Sequence, residues 1–196
     1  ALRFDRSGVD PGHLSRDQIR DAKRHVGSTA GERVTRISGE PFAMFGLSLH
    51  HRLGDRVGVA AALQGLATLA LDIGEVDRAR ALLAESIPVA WDAHNRPGLA
   101  AALEQLACVA IAEGESTRAV QLFGCASVLE HALNYHGRPD GDHAEPERIS
   151  ALRALLGDEQ FAERWADGRA LTVEETIAFA LAEPPASDRA PTGQVT

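Results

Sequence analysis

The stretch RVGVAAALQGLATLALDIGEVDRARALLAESI, residues 56–87, returns forty residues later as RPGLAAALEQLACVAIAEGESTRAVQLFGCAS, residues 96–127. Fourteen of the 32 positions are identical at one fixed offset, without a gap. Alanine inflates such a match, but the pairs Arg56/Arg96, Gly58/Gly98, Gly74/Gly114, Glu75/Glu115 and Arg78/Arg118 do not depend on it. A repeat of this length, with apolar residues three and four apart, constrains the chain to an array of helical hairpins.

Each unit reads as two helices. The first spans about residues 58–73, with Leu63, Leu66, Ala67 and Ala70 on one face. Gly74 supplies the left-handed conformation that ends a helix. Glu75 to Asp77 then open the second helix, where acidic groups suit the positive end of the dipole. Ala79, Leu82, Leu83 and Ser86 form its packing face, and the small residues let the two axes approach. The second unit repeats this with Leu103, Leu106, Ala107 and Ala110, then Gly114, then Ala119, Leu122 and Phe123.

The flanks are less regular. Residues 1–40 form an N-terminal arm rich in Gly and Pro, mostly loop, with one short helix over LSRDQIRDAKRHV. The stretch GSTAGERVTRISGEP reads as loop, and it lacks the GxxxxGK[ST] pattern of a phosphate loop. PFAMFGLSLHHRLGDR, residues 41–56, occupies the place of a second helix from an earlier unit. Its Phe42, Phe45, Leu47 and Leu49 leave an apolar end, which residues 1–40 or a second copy of the chain are expected to cover. After the second unit comes a polar break, NYHGRPDGDHAEPER, and then three short helices near 145–156, 158–167 and 172–183. Thr172 and Glu175 make a capping box for the last. The domain boundaries are therefore 1–40 for the arm, 41–136 for the repeats, 137–184 for the capping helices and 185–196 for a Pro-rich tail.

Charge and composition exclude several functions. The net charge is −8, and residues 138–196 hold twelve acids against six Arg. An acidic body repels a phosphate backbone, so direct nucleic-acid binding by this chain is not expected. Residues 16–36 are mildly basic and read as a solvated segment. No apolar run is long enough to cross a membrane, and the first ten residues have no signal-peptide core. The two cysteines, Cys108 and Cys125, have neither CxxC spacing nor a secretory context, which points to the cytoplasm. His131, His136 and His143, with Asp140, Asp142 and Glu145, cluster near the polar break, but their spacing does not favour metal. Trp91 and Trp165 read as packing residues. No HExxH or GxSxG motif occurs. The expectation is a non-enzyme with no metal and no cofactor.

Leu66-Ala67, Ala70, Gly74-Glu75, Ala79, Leu83 and Ser86, with their counterparts forty residues on, resemble the tetratricopeptide repeat. That repeat is usually about 34 residues long, so here the helices or turns must be extended. The resemblance implies an all-α, right-handed α-solenoid of hairpins with a C-terminal helical cap. First helices line the concave side of such a stack. Its inward, non-packing positions are Gln64, Thr68, Leu71 and Asp72 in the first unit and Glu104, Cys108 and Ile111 in the second. That groove suits a peptide or a small polar ligand.

A second resemblance rests on the C-terminal block. Arg118-Ala119, Leu122, Gly124, Ala126 and Leu129 lead to Leu156-Gly157, Phe161, Trp165, Gly168, Leu171-Thr172, Glu174-Glu175, Ala178 and Ala180-Leu181. Together they resemble the helical arm of bacterial signal-transduction ATPases with numerous domains, including LuxR-type and antibiotic-regulator-type transcriptional regulators. The likeness covers residues 56–184 and not 1–40. It implies a non-catalytic sensor arm that binds a partner protein or a small-molecule inducer and restrains a nucleotide-binding motor in the same polypeptide. A free-standing scaffold for protein–protein interaction is the alternative.

Overall fold

The computed structural model describes residues 32–132 and 145–183. The arm's expected short helix, most of the polar break and the Pro-rich tail lie outside those residues. So do the side chains of the histidine cluster. Every regular element described is helical: α1 (Glu32–Leu53), α2 (Arg56–Asp72), α3 (Val76–Asp92), α4 (Arg96–Ala112), α5 (Ser116–Ala132), α6 (Glu145–Leu156), α7 (Asp158–Ala170) and α8 (Val173–Leu181). Among the described residues, no helix is long and apolar enough to cross a membrane.

Two 17-residue helices and two three-residue turns fill each forty-residue period. All the turns use the same chemistry. After α2 and α4, Gly74 and Gly114 adopt φ of 81° and 80°. Glu75 and Glu115 N–H groups then donate back to the Ala70 and Ala110 carbonyls, each at 2.8 Å. These bonds satisfy carbonyls that a helix end leaves open. After α1 and α3 the same position holds Gly54, φ 67°, and His94, φ 52°. Asp55 and Asn95 follow as N-caps, and their side chains accept from the Gly58 and Gly98 N–H groups at 2.9 and 3.0 Å.

The hairpins α2–α3 and α4–α5 are each closely packed, and α3 also packs on α4. The apolar faces read from the sequence form their core: Leu63, Leu66, Ala67 and Ala70 are buried, as are Ala79, Leu83, Leu103, Leu106, Leu122 and Phe123. Each such Leu contributes about 1.5–3 kcal/mol when fully buried. Trp91 and Trp165 pack half-buried against this core, Trp165 stacking on Phe161 at 5.6 Å.

Beyond the repeats, α5 packs most closely on α7. Glycines set that crossing. A Cβ on Gly168 would lie 2.1 Å from the Gln121 carbonyl oxygen, and one on Gly124 would lie 2.6 Å from that of Trp165. The α8 helix begins with the expected capping box: Glu175 N–H donates to Thr172 Oγ1 at 3.2 Å, and Thr172 N–H donates to Glu175 Oε2 at 2.8 Å. Its other end is held by Arg118, whose Nη2 donates to the carbonyls of Phe179, Ala180 and Ala182. A guanidinium at a helix C-terminus satisfies open carbonyls and complements the dipole. Fully buried Glu115 faces Arg80 and Arg118 at 3.8 and 3.9 Å.

One segment differs from its sequence reading. Residues 27–41 read as loop, yet α1 begins at Glu32 and runs through Gly39 and Pro41. A proline removes one helical hydrogen bond, and the rest of a 22-residue helix tolerates that loss. Residues 41–53 are helical as expected, but among the described residues α1 supplies no member of the buried core.

Candidate functional site

The seven groove residues fall into three environments. Thr68 and Asp72 are exposed on α2, and the Thr68 hydroxyl donates to the Gln64 carbonyl at 3.1 Å. Leu71 and Ile111 occupy equivalent half-buried positions on α2 and α4, packed against the core. Glu104 and Cys108 are half-buried on α4.

Gln64 is buried, and its amide does not face solvent. Its Nε2 donates to Ser86 Oγ at 3.0 Å and to the Gly98 carbonyl at 2.9 Å. The Gly98 carbonyl lies in the first turn of α4, and Gln64 gives it a further donor at the junction of the two units. The amide is therefore engaged inside the protein and does not contribute to an open strip.

Two features of the strip are not evident from the pattern. First, the exposed face of α2 runs Val57, Ala61, Gly65, Thr68 and Asp72, so small residues line its middle. A Cβ on Gly65 would meet nothing within 4 Å, so the backbone there is open to approach. The three-four spacing back from Thr68 was the available signal. On α4 the position equivalent to Gly65 is Gln105, whose Oε1 is buried without a hydrogen-bond partner. Second, α6 brings Arg148 to the α4 side, and its Nη1 donates to Cys108 Sγ at 3.2 Å. Residues forty apart make that contact across a segment with no local signal for it.

The strip thus combines a hydroxyl, two carboxylates, two aliphatic side chains, and a thiol beside a guanidinium. The other cysteine is placed differently. Cys125 is buried, its thiol donates to the Gly168 carbonyl at 3.2 Å, and burial pushes its pKa up. Among the described residues, no three His, Cys, Asp or Glu side chains are placed to hold a metal ion.

Comparison with protein-family models, curated proteins and solved structures finds no match for this chain.

Proposed function

We propose that this chain is the non-catalytic regulatory arm of a bacterial, cytoplasmic multidomain transcriptional regulator, and that it binds a partner protein or an inducer on the α2–α4 strip. On this reading the hairpins stack as a right-handed, tetratricopeptide-like solenoid, with the strip on its concave side. A nucleotide-binding motor lies in the same polypeptide, and occupancy of the strip alters the restraint on it.

The observation that carries the reading is the geometric identity of the two hairpins. Matching helix lengths and turns give Thr68 and Cys108, and likewise Leu71 and Ile111, equivalent positions on the first helix of each unit. Such repetition makes a continuous surface that accepts an extended or small polar ligand. The C-terminal resemblance supplies the regulatory context.

The test is nucleotide hydrolysis by the whole gene product, unaltered and with Thr68→Arg and Asp72→Arg introduced together. Both positions are exposed, so the fold should persist. The reading expects the pair to shift hydrolysis about fivefold or more with the melting temperature held. A gene product that hydrolyses no nucleotide, or is indifferent to these changes, contradicts it.

A further inference from the structure

The α8 helix is held to the protein by little apolar surface. Its nine residues are too few for a stable isolated helix. It rests on α3 and α5, and its two buried residues are the small Thr176 and Ala180. Val173, Ile177 and Phe179 are only half-buried, and Leu181 is exposed. Its C-terminal end depends on one side chain of the repeat array. Arg118 Nη2 donates to the Phe179, Ala180 and Ala182 carbonyls at 3.0, 3.2 and 2.7 Å. The same guanidinium carbon lies 5.0 Å from the Phe179 ring centroid. The start of α8 is different: its capping box is made by Thr172 and Glu175, within the helix itself, and moves with it. Before it, Leu171 and Thr172 have extended backbones, with ψ of 138° and 166°, so the joint with α7 is not helical.

We infer that α8 is a latch: it swings off α3 and α5 as a unit about Leu171 and Thr172, with α2–α7 left folded, and Arg118 is its catch. An element that buries little apolar area opens at a lower free energy than the whole protein unfolds. A few residues at an element boundary suffice as the hinge. Opening returns the α8 carbonyls to water, and the Arg118 guanidinium keeps Glu115 beside it at 3.9 Å. Buried Glu115 also faces Arg80 of α3 at 3.8 Å, so the catch joins α8 to the junction between the two repeats. The inference is independent of the strip, because none of the strip residues lies on α5 or α8. Cys125 reports the movement. It is buried on α5, where its thiol donates to the Gly168 carbonyl and the Thr176 side chain of α8 hydrogen-bonds to it. Opening takes Thr176 away.

The test follows the reaction of Cys125 with Ellman's reagent in the full chain, in a Cys108→Ala background. The labelling rate should rise with urea far less steeply than global unfolding does, because a latch exposes little surface. Thr172→Ala removes the cap of α8 alone and should speed labelling about fivefold. Arg118→Met removes the catch and should speed it about tenfold or more. Gln64→Leu weakens the α2–α4 junction, which stays closed when α8 opens, so it should leave the labelling rate unchanged while lowering the urea midpoint. Should Arg118→Met not fold, the urea slope and the other two variants still decide. Labelling that follows the global urea slope overturns the inference. So does labelling that responds to Gln64→Leu as strongly as to Thr172→Ala, or a Cys125 that the reagent never reaches under native conditions. A folded Arg118→Met chain that labels at the unaltered rate overturns Arg118 as the catch.

Discussion

The side-chain amide of Gln64 donates to the Gly98 carbonyl at 2.9 Å, joining the first repeat to the second. The same nitrogen donates to Ser86 Oγ, and the Ser86 hydroxyl donates to the Ala60 carbonyl at 3.1 Å. One buried chain of hydrogen bonds therefore ties α2, α3 and α4 together. At the equivalent positions of the second unit stand Glu104 and Ala126, so the link is not repeated.

Gln64→Leu keeps most of the volume but leaves the Gly98 carbonyl without this donor. The expected cost is about 0.5–1.5 kcal/mol, read as a lowered urea midpoint with an unchanged slope. A midpoint equal to that of the unaltered chain would show that the junction does not depend on this bond.

Glycines in the same fold respond in opposite directions. Gly168→Ala forces the α5–α7 crossing apart, because the new Cβ would lie 2.1 Å from the Gln121 carbonyl oxygen. Overpacking of this kind costs about 1–3 kcal/mol or more. Gly65→Ala adds a methyl in open space within α2 and should stabilise by about 0.5–1 kcal/mol. Thermal melts of the two variants should therefore move apart, and a shift in the same direction would refute the packing account.

His94 holds a left-handed backbone, φ 52°, at the position where the preceding turn has Gly54. His94→Gly relieves a conformational cost that outweighs the flexibility glycine adds to the unfolded chain. The expected gain is about 0.5–1 kcal/mol, measurable by urea unfolding. A loss of stability would mean that the imidazole makes a compensating contact.

The two hairpin caps differ in charge. The Gly58 N–H chiefly, with a further contribution from His50, holds the Asp55 carboxyl below its ordinary value of 3.8. A depressed folded pKa gives stability that is complete above the unfolded value and is lost as pH falls through the folded one. Asp55→Asn copies the Asn95 cap and removes that titration. Melting curves between about pH 6 and pH 3 should fall less steeply for the variant, and parallel curves would contradict the assignment.

Much of the fold was legible because its signals are local and doubled. Gly74 and Gly114 mark helix ends, Thr172 and Glu175 mark a start, and the apolar faces repeat at helical spacing. What was not legible depends on distant partners. Gln64 looks outward by pattern, and a hydroxyl 22 residues away and a carbonyl 34 residues away draw it inside. The α5–α7 crossing needs Gly124 and Gly168 together, and neither alone signals close contact. Arg148 reaches Cys108 through tertiary packing, so the strip's cation had no sequence signature. At α1, local breakers at Gly39 and Pro41 suggested a loop where a helix continues.

The most direct test of the regulatory reading is to determine the reading frame on both sides of this chain. The account predicts a nucleotide-binding motor with a GxxxxGK[ST] loop upstream and a helix-turn-helix domain in the same polypeptide. A frame that begins and ends near these 196 residues, with neither domain, would contradict it and leave the strip as the surface of a free-standing scaffold.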